Sequence, residues 1–179
     1  IDHCASREDV TFLIGEMIAE ANVGHAYLRG NGDGAPAGPR VNVGMLGVDW
    51  EVHEGAYRIA TILRGAAWDS DAISPLGMPG VDVSEGDYVL AVNGLPLSTD
   101  EDPYAAFQGM ASKEVVLTVS TKPSMDEEAR DVIVKTMGSE STLRMRAWIE
   151  KNRKYVSDMT DGRVGYIYVP DTGLNGQNN

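Results

Sequence analysis

Glu85-Gly86-Asp87-Tyr88-Val89-Leu90-Ala91-Val92-Asn93-Gly94 sets the texture of the chain. Tyr88 to Val92 is a short apolar run rich in β-prone residues. It is closed by Asn-Gly, a pair that tolerates positive φ and so turns a strand back on itself tightly. On either side the same pattern repeats, with candidate strands at Leu46–Val52, Tyr57–Leu63, Asp87–Val92 and Val115–Ser120. Between the last two, Asp102-Pro103-Tyr104-Ala105-Ala106-Phe107 reads as an N-cap, a proline at the first helical position and a short helix. Residues 40–123 are therefore β-rich, and Ala129–Thr136 adds one more strand, with Val132 and Val134 on one face and Ile133 on the other.

The 179 residues allow one ordinary domain and part of another, with enough buried surface for a core. Twenty-seven acidic residues against 15 basic ones leave a net charge of −12, which repels phosphate backbones and argues against nucleic-acid binding. The net negative charge is concentrated in the β-rich part, with 12 acidic to 5 basic residues over 40–122. No run reaches the ~18 apolar residues of a membrane span, and Ile1-Asp2-His3-Cys4 lacks the basic and apolar regions of a signal peptide. One cysteine builds neither a disulfide framework nor a cysteine zinc site. His3, Cys4, His25 and His53 have no metal-ligand spacing, so neither metal nor cofactor is expected.

Outside the β-rich part, Val10, Leu13, Ile14, Met17, Ile18 and Ala21 form one apolar stripe and predict a helix over 6–21. Ser6 is its expected N-cap with Asp9 nearby, without the Glu or Gln of a capping box, and Gly24 its expected left-handed C-terminal cap. Gly30 to Pro39 reads as a linker. At the far end a helix is predicted over 142–159. Its inward stripe is Met145, Trp148, Ile149, Asn152, Tyr155, Val156 and Met159, with Arg144, Arg146, Lys151, Arg153 and Lys154 on its wet face. Val164 to Val169 is almost wholly apolar and predicts a strand buried on both faces, which needs a sheet to join.

Gly44-Met45-Leu46-Gly47-Val48 precedes the first strand of the β-rich part. Such a glycine-flanked loop frees backbone N–H groups to converge on a carboxylate, and the neighbouring strand edge can accept a peptide as an added strand. The same glycines would also serve a plain hairpin turn. Together with Glu85–Gly94 and the short helix at 103–111, the pattern resembles a PDZ domain. The order around it is similar to tricorn-type proteases: Asn22-Val23-Gly24-His25-Ala26-Tyr27 before the module, then Trp148-Ile149-Glu150-Lys151-Asn152-Arg153-Lys154-Tyr155-Val156 and Gly165-Tyr166-Ile167-Tyr168-Val169-Pro170-Asp171-Thr172-Gly173 after it.

The resemblance implies an α+β fold, a PDZ-like β-barrel or sandwich with short helices. An N-terminal helical subdomain flanks it at 1–38, the module covers 39–136, and 137–179 opens a nucleophile-bearing α/β peptidase subdomain with its first helix and strand. It implies a serine peptidase of oligopeptides or unfolded chains in which His25 is the general base and Gly173, or else Gly176, supplies an oxyanion-hole N–H. Met45, Leu46, Gly47 and Val48 would bind peptide. In the family's order the serine nucleophile and an acidic partner lie beyond Asn179, so these 179 residues alone are expected to be inactive. Gly24 stands where the family pattern has a serine that holds the imidazole, which puts the orienting network in question; as a plain helix cap Gly24 is equally well explained. Ring-like self-assembly of the parent and a cytoplasmic location are further implications, export being left open. Two other readings stay open: a non-catalytic PDZ adaptor, and a module that only gates or positions the active site without binding free peptide.

Overall fold

The computed structural model describes residues 3–28 and 41–173. They belong to two compact units, Ile1–Arg40 and Val41–Asn179. The linker reading of 30–39 and the candidate Gly176 lie outside the described residues.

In the first unit, helix α1 spans Arg7–Ala19. Its start is better closed than the sequence reading foresaw. Asp9 N–H donates to Ser6 Oγ (3.2 Å), while Asp9 Oδ2 accepts from the N–H groups of Ser6 (2.9 Å) and Ala5 (2.8 Å). An aspartate thus completes the reciprocal capping box usually built with Glu or Gln. The backbone N–H bonds from Ser6 and Ala5 hold the Asp9 carboxyl below its ordinary pKa. At the other end the left-handed residue is Asn22 (φ 52°), not Gly24. Asparagine tolerates that region, so the glycine is not needed as the cap. No residue of α1 is buried.

The second unit is built on one antiparallel sheet of six strands: β1 Val48–His53, β2 Ala56–Ile62, β3 Tyr88–Val92, β4 Leu95–Pro96, β5 Glu114–Ser120 and β6 Arg130–Lys135. The order across the sheet is β1-β2-β3-β5-β6, with β4 paired to β3. The strand readings from Leu46 to Thr136 hold to within two residues at every boundary, and the two-residue β4 is the addition. Glu54-Gly55 (φ 48° and 79°) turns β1 into β2, and Asn93-Gly94 (φ 51° and 77°) turns β3 into β4, both with the paired positive φ of a tight hairpin. Asn93 is held on both sides: its N–H donates to Val116 C=O (2.8 Å) and its Oδ1 accepts from Val116 N–H (2.9 Å).

Every residue of β3 is buried, as befits a strand in the middle of the sheet. Around it Leu46, Val48, Ile59, Leu76, Phe107, Val115, Leu117 and Val119 form the core. On β6, Val132 and Val134 face inward and Ile133 is exposed, as alternation required. Buried Asp87 is matched by Arg130, whose Nη2 lies 2.8 Å from Oδ2. The short helix is a 3₁₀ turn, Pro103–Phe107, started by Asp102, which accepts from Tyr104 N–H (2.8 Å), and it inserts Phe107 fully into the core.

Helix α2 spans Ser141–Met159. It is joined to the sheet by its first turn, where Leu143, 2% exposed, packs with Leu63 and Ala72. Two expectations fail here. The stripe predicted to face inward is exposed at Met145, Trp148, Tyr155 and Met159, because the helix docks through Leu143 and Ala147 instead. Val164–Val169 forms no strand. A strand needs a neighbour to receive its N–H and C=O groups. This segment instead follows α2, with Tyr168 edge-on to Trp148 (5.9 Å between centroids) and Asn152 Nδ2 donating to the Tyr166 hydroxyl (3.3 Å).

Candidate functional site

The loop before β1 is rigidly seated. Met45 exchanges two backbone bonds with Met137 (2.9 and 2.8 Å), and Gly44 N–H donates to Phe107 C=O (2.9 Å). Leu46 is fully buried, and its C=O accepts from the buried Ser74 hydroxyl (2.6 Å). Gly47 has φ +65° and faces Leu143 so closely that a Cβ there would lie 2.6 Å from Leu143 Cδ2. Glycine is required twice over, for the backbone and for the approach.

Beyond the loop, β1 is an edge strand. Leu63 N–H donates to Gly47 C=O (2.9 Å), one position outside the Val48–Ile62 pair. Val48 is therefore in a non-hydrogen-bonded pair, and its own N–H and C=O point away from β2 to the open edge. An added strand would begin there. Next to that edge lies an aromatic cluster, with Trp50 edge-on to Tyr57 (6.0 Å) and to Tyr104 (6.5 Å). Trp50 Nε1 is buried and closes no hydrogen bond of ordinary length, although it lies near the Tyr104 hydroxyl.

Two side chains from the start of α2 complete this place. Glu140 sits at the N-cap position yet makes no capping bond to its own helix. Its Oε2 accepts from Gly47 N–H (3.0 Å), and its Oε1 from Arg144 Nε (2.6 Å). Arg144 also donates through Nη1 to Asp49 Oδ1 (2.7 Å) and through Nη2 to Val48 C=O (2.9 Å). Partial burial disfavours the Arg144 charge, but the bonds to Asp49 and Glu140 outweigh it and leave its pKa above the ordinary guanidinium value. Burial, and then the negative charge of Glu140, push the Tyr104 phenol above its ordinary value. A cleft of about 450 Å³ opens beside Arg144, walled by Asp49, Leu63, Arg64, Trp148 and Lys151.

The structure thus brings Gly47 and Val48 together with Glu140 and Arg144, while Met45 and Leu46 act as the loop's anchors. Glu140 was not singled out from the sequence, and Arg144 was read as wet-face charge. The available signal was a glutamate at a position where Ser, Thr, Asp or Asn serves a helix better, four residues before an arginine.

The remaining candidates, His25 and Gly173, belong to different units. His25, in the first unit, is exposed in a turn after α1, with its ring edge-on to Tyr27 (6.4 Å). Tyr27 donates to Gly24 C=O (3.5 Å), and a Cβ on Gly24 would meet nothing within 4 Å, so a serine would fit. Gly173, in the second unit, is exposed, and its N–H donates to Asp171 Oδ1 (2.7 Å). An oxyanion role for it requires that bond to open. Among the described residues, no cluster of three or more His, Cys, Asp or Glu side chains is arranged to hold a metal, and no helix is long and apolar enough to cross a membrane.

Comparison with known proteins adds the following. The family model described as Tricorn protease PDZ domain matches residues 44–139. Tricorn protease homolog 1 of Streptomyces coelicolor is 40% identical over 175 residues, 96% of this chain and 16% of that protein. Tricorn protease of Thermoplasma volcanium is 32% identical over 178 residues, 99% of this chain and 17% of that protein. The crystal structure of the tricorn protease superposes with a TM-score of 0.77 at 26% identity, covering 98% of this chain and 16% of the other. The chain therefore spans about a sixth of the length of these relatives.

Proposed function

The chain belongs to the tricorn protease PDZ domain family, and on that premise we propose that it works as part of a serine peptidase that cleaves oligopeptides or unfolded chains. The observation that carries this reading is the extent of the likeness. Identity of 40% runs over 96% of the chain, far beyond the 44–139 of the PDZ module, and the match at 32% identity runs over 99% of it and so includes the segments holding His25 and Gly173.

In this mechanism His25 takes the proton from a serine supplied by another part of the polypeptide and returns it to the leaving amine. Gly173 N–H, released from Asp171, stabilises the oxyanion of the tetrahedral intermediate. The exposed turn that carries His25 suits a base that must be reached by substrate. The PDZ module binds or positions peptide through the loop of Met45, Leu46, Gly47 and Val48, the first two anchoring it, with a chain terminus meeting the loop and an extended segment adding to β1. Residues 137–179 open the subdomain that bears the nucleophile, and the exposed stripe of Met145, Trp148, Tyr155 and Met159 is where the rest of that subdomain packs. By themselves these 179 residues are inactive. The parent enzyme is cytoplasmic, assembles with copies of itself, and takes neither nucleic acid nor a cofactor.

The test is His25→Ala in the full-length polypeptide. Turnover of a peptide substrate falls by roughly 10⁴-fold or more, as for loss of a catalytic base, while peptide binding by the module is unchanged. Undiminished turnover removes His25 from the mechanism, whereas absence of any turnover by the unmutated full-length polypeptide favours an adaptor role.

A further inference from the structure

We propose that Glu140 is a built-in occupant of the carboxylate-binding loop, so that the first turn of α2 and an incoming peptide carboxyl terminus compete for one site. The inference rests on the reading of Gly44–Val48 as a peptide-binding loop and goes further by naming what fills it.

A peptide terminus that adds to β1 has two needs at this place. Its carboxylate must accept backbone N–H bonds from the loop, and its last N–H must find an acceptor on the outward edge of β1. Both are already met from within the chain. The Glu140 carboxylate takes Gly47 N–H at 3.0 Å, and Arg144 Nη2 supplies a donor to Val48 C=O at 2.9 Å. Val48 C=O is the first outward carbonyl after the loop, as its register against Ile62 requires. The spacing of four residues on α2 places both groups on one face, and their mutual bond (Oε1 to Nε, 2.6 Å) holds them in that pose. Glu140 forgoes capping its own helix to do so. The pair reproduces the acceptor and donor of a peptide end.

The occupant is tethered. Leu143 lies between the two residues in sequence and is 2% exposed against Leu63 and Ala72, so Glu140 is presented to Gly47 at a high effective concentration. A free terminus must displace it, and displacement also frees Arg144 from Val48. Peptide arrival at the loop is thereby coupled to release of the start of α2, the helix that leads on to Gly165–Gly173.

The experiment uses the full-length polypeptide and fluorescein-labelled alanine pentapeptides ending in Ala, Val, Leu or Phe, each as the free acid and as the amide. If the competent, unoccupied loop is a minor state of roughly a tenth, removing the occupant raises affinity about tenfold. Glu140→Ala is therefore expected to bind a free acid at least about tenfold more tightly than the parent, with Glu140→Gln between them and the amides bound by none. Amide hydrogen exchange of Gly47 in the absence of peptide is expected to quicken in Glu140→Ala. Equal affinity of parent and Glu140→Ala for the acid overturns the competition and leaves the peptide-binding reading standing. Failure of every protein to bind any acid overturns both. An unchanged Gly47 exchange rate overturns the occupancy itself. Circular dichroism of each variant checks the fold, and Glu140→Gln, nearly isosteric, serves the same comparison if the alanine variant is unfolded.

Discussion

Replacing Gly47 by alanine tests how the loop, β1 and α2 are fitted together. At φ +65° an alanine carries about 1–2 kcal/mol of backbone strain. Its Cβ would also lie 2.6 Å from Leu143 Cδ2 and 3.2 Å from Ser74 Cβ. Leu143 is 2% exposed, so its methyl has little space to swing into, and the overpacking adds about 1–2 kcal/mol. Gly47→Ala is expected to lose about 2–4 kcal/mol in urea unfolding, with roughly 2–4 °C of melting temperature lost per kcal/mol. Gly94→Ala is the control: its φ is +77° but nothing lies within 4 Å of a Cβ, so it shows the strain alone. Leu143→Ala by itself costs about 2–5 kcal/mol as a buried leucine. In the double variant the overpacking vanishes, so the loss is expected to fall short of the sum of the two by about 1–2 kcal/mol. Additivity within about 0.5 kcal/mol would refute the close fit of α2 on the loop.

Other outcomes follow from the same packing. Arg130→Met leaves the buried Asp87 carboxylate without its cation and is expected to cost about 2 kcal/mol in urea unfolding; the value sits below that of a fully buried pair because Arg130 is 30% exposed. Asn93→Gly keeps the turn but loses the bond from Val116 N–H, for about 1 kcal/mol, whereas Asn93→Ala adds the strain of φ 51° and should cost about 1–2 kcal/mol more. Trp50→Phe removes an indole N–H that closes no hydrogen bond while keeping an aromatic ring against Tyr57 and Tyr104, and a loss under about 1.5 kcal/mol by thermal melting is expected. Gly24→Ser meets open space and leaves the chain's stability within about 0.5 kcal/mol; in the full-length polypeptide a fall in turnover would show that the smaller residue is needed beside His25.

Most of the sheet was legible because its signals are local. Asn93-Gly94 can turn a strand whatever surrounds it, and Asp102-Pro103 starts a turn of helix with its own atoms. Alternation along Ala129–Thr136 named Val132 and Val134 as the inner pair because a pleated strand has only two faces. The first helix was legible in position, while its caps were misjudged in detail: Asp9 closes the box that a longer acidic side chain usually closes, and Asn22 takes the left-handed turn in place of Gly24. The apolar composition of Val164–Val169 suited a strand but could not provide its neighbour. The stripe on α2 was correctly periodic, yet periodicity does not say which residues of a helix meet the nearest sheet, and Leu143 at its first turn is the one buried.

By itself the sequence determined the α+β class, the strands and their tight turns, and the residues that mark the family. Those features depend on side-chain volume, backbone freedom and spacing over a few residues. Only the tertiary structure decided what the loop before β1 is bonded to. Gly47 and Glu140 are 93 residues apart, and Val48 and Arg144 are 96 apart. A charged pair at helical spacing is equally stable in water, so nothing in the local sequence shows that these two side chains leave solvent to bond the loop. The docking of Leu143 carries the pair to the loop, and closure of the chain over that distance is what turns Glu140 and Arg144 into part of a site.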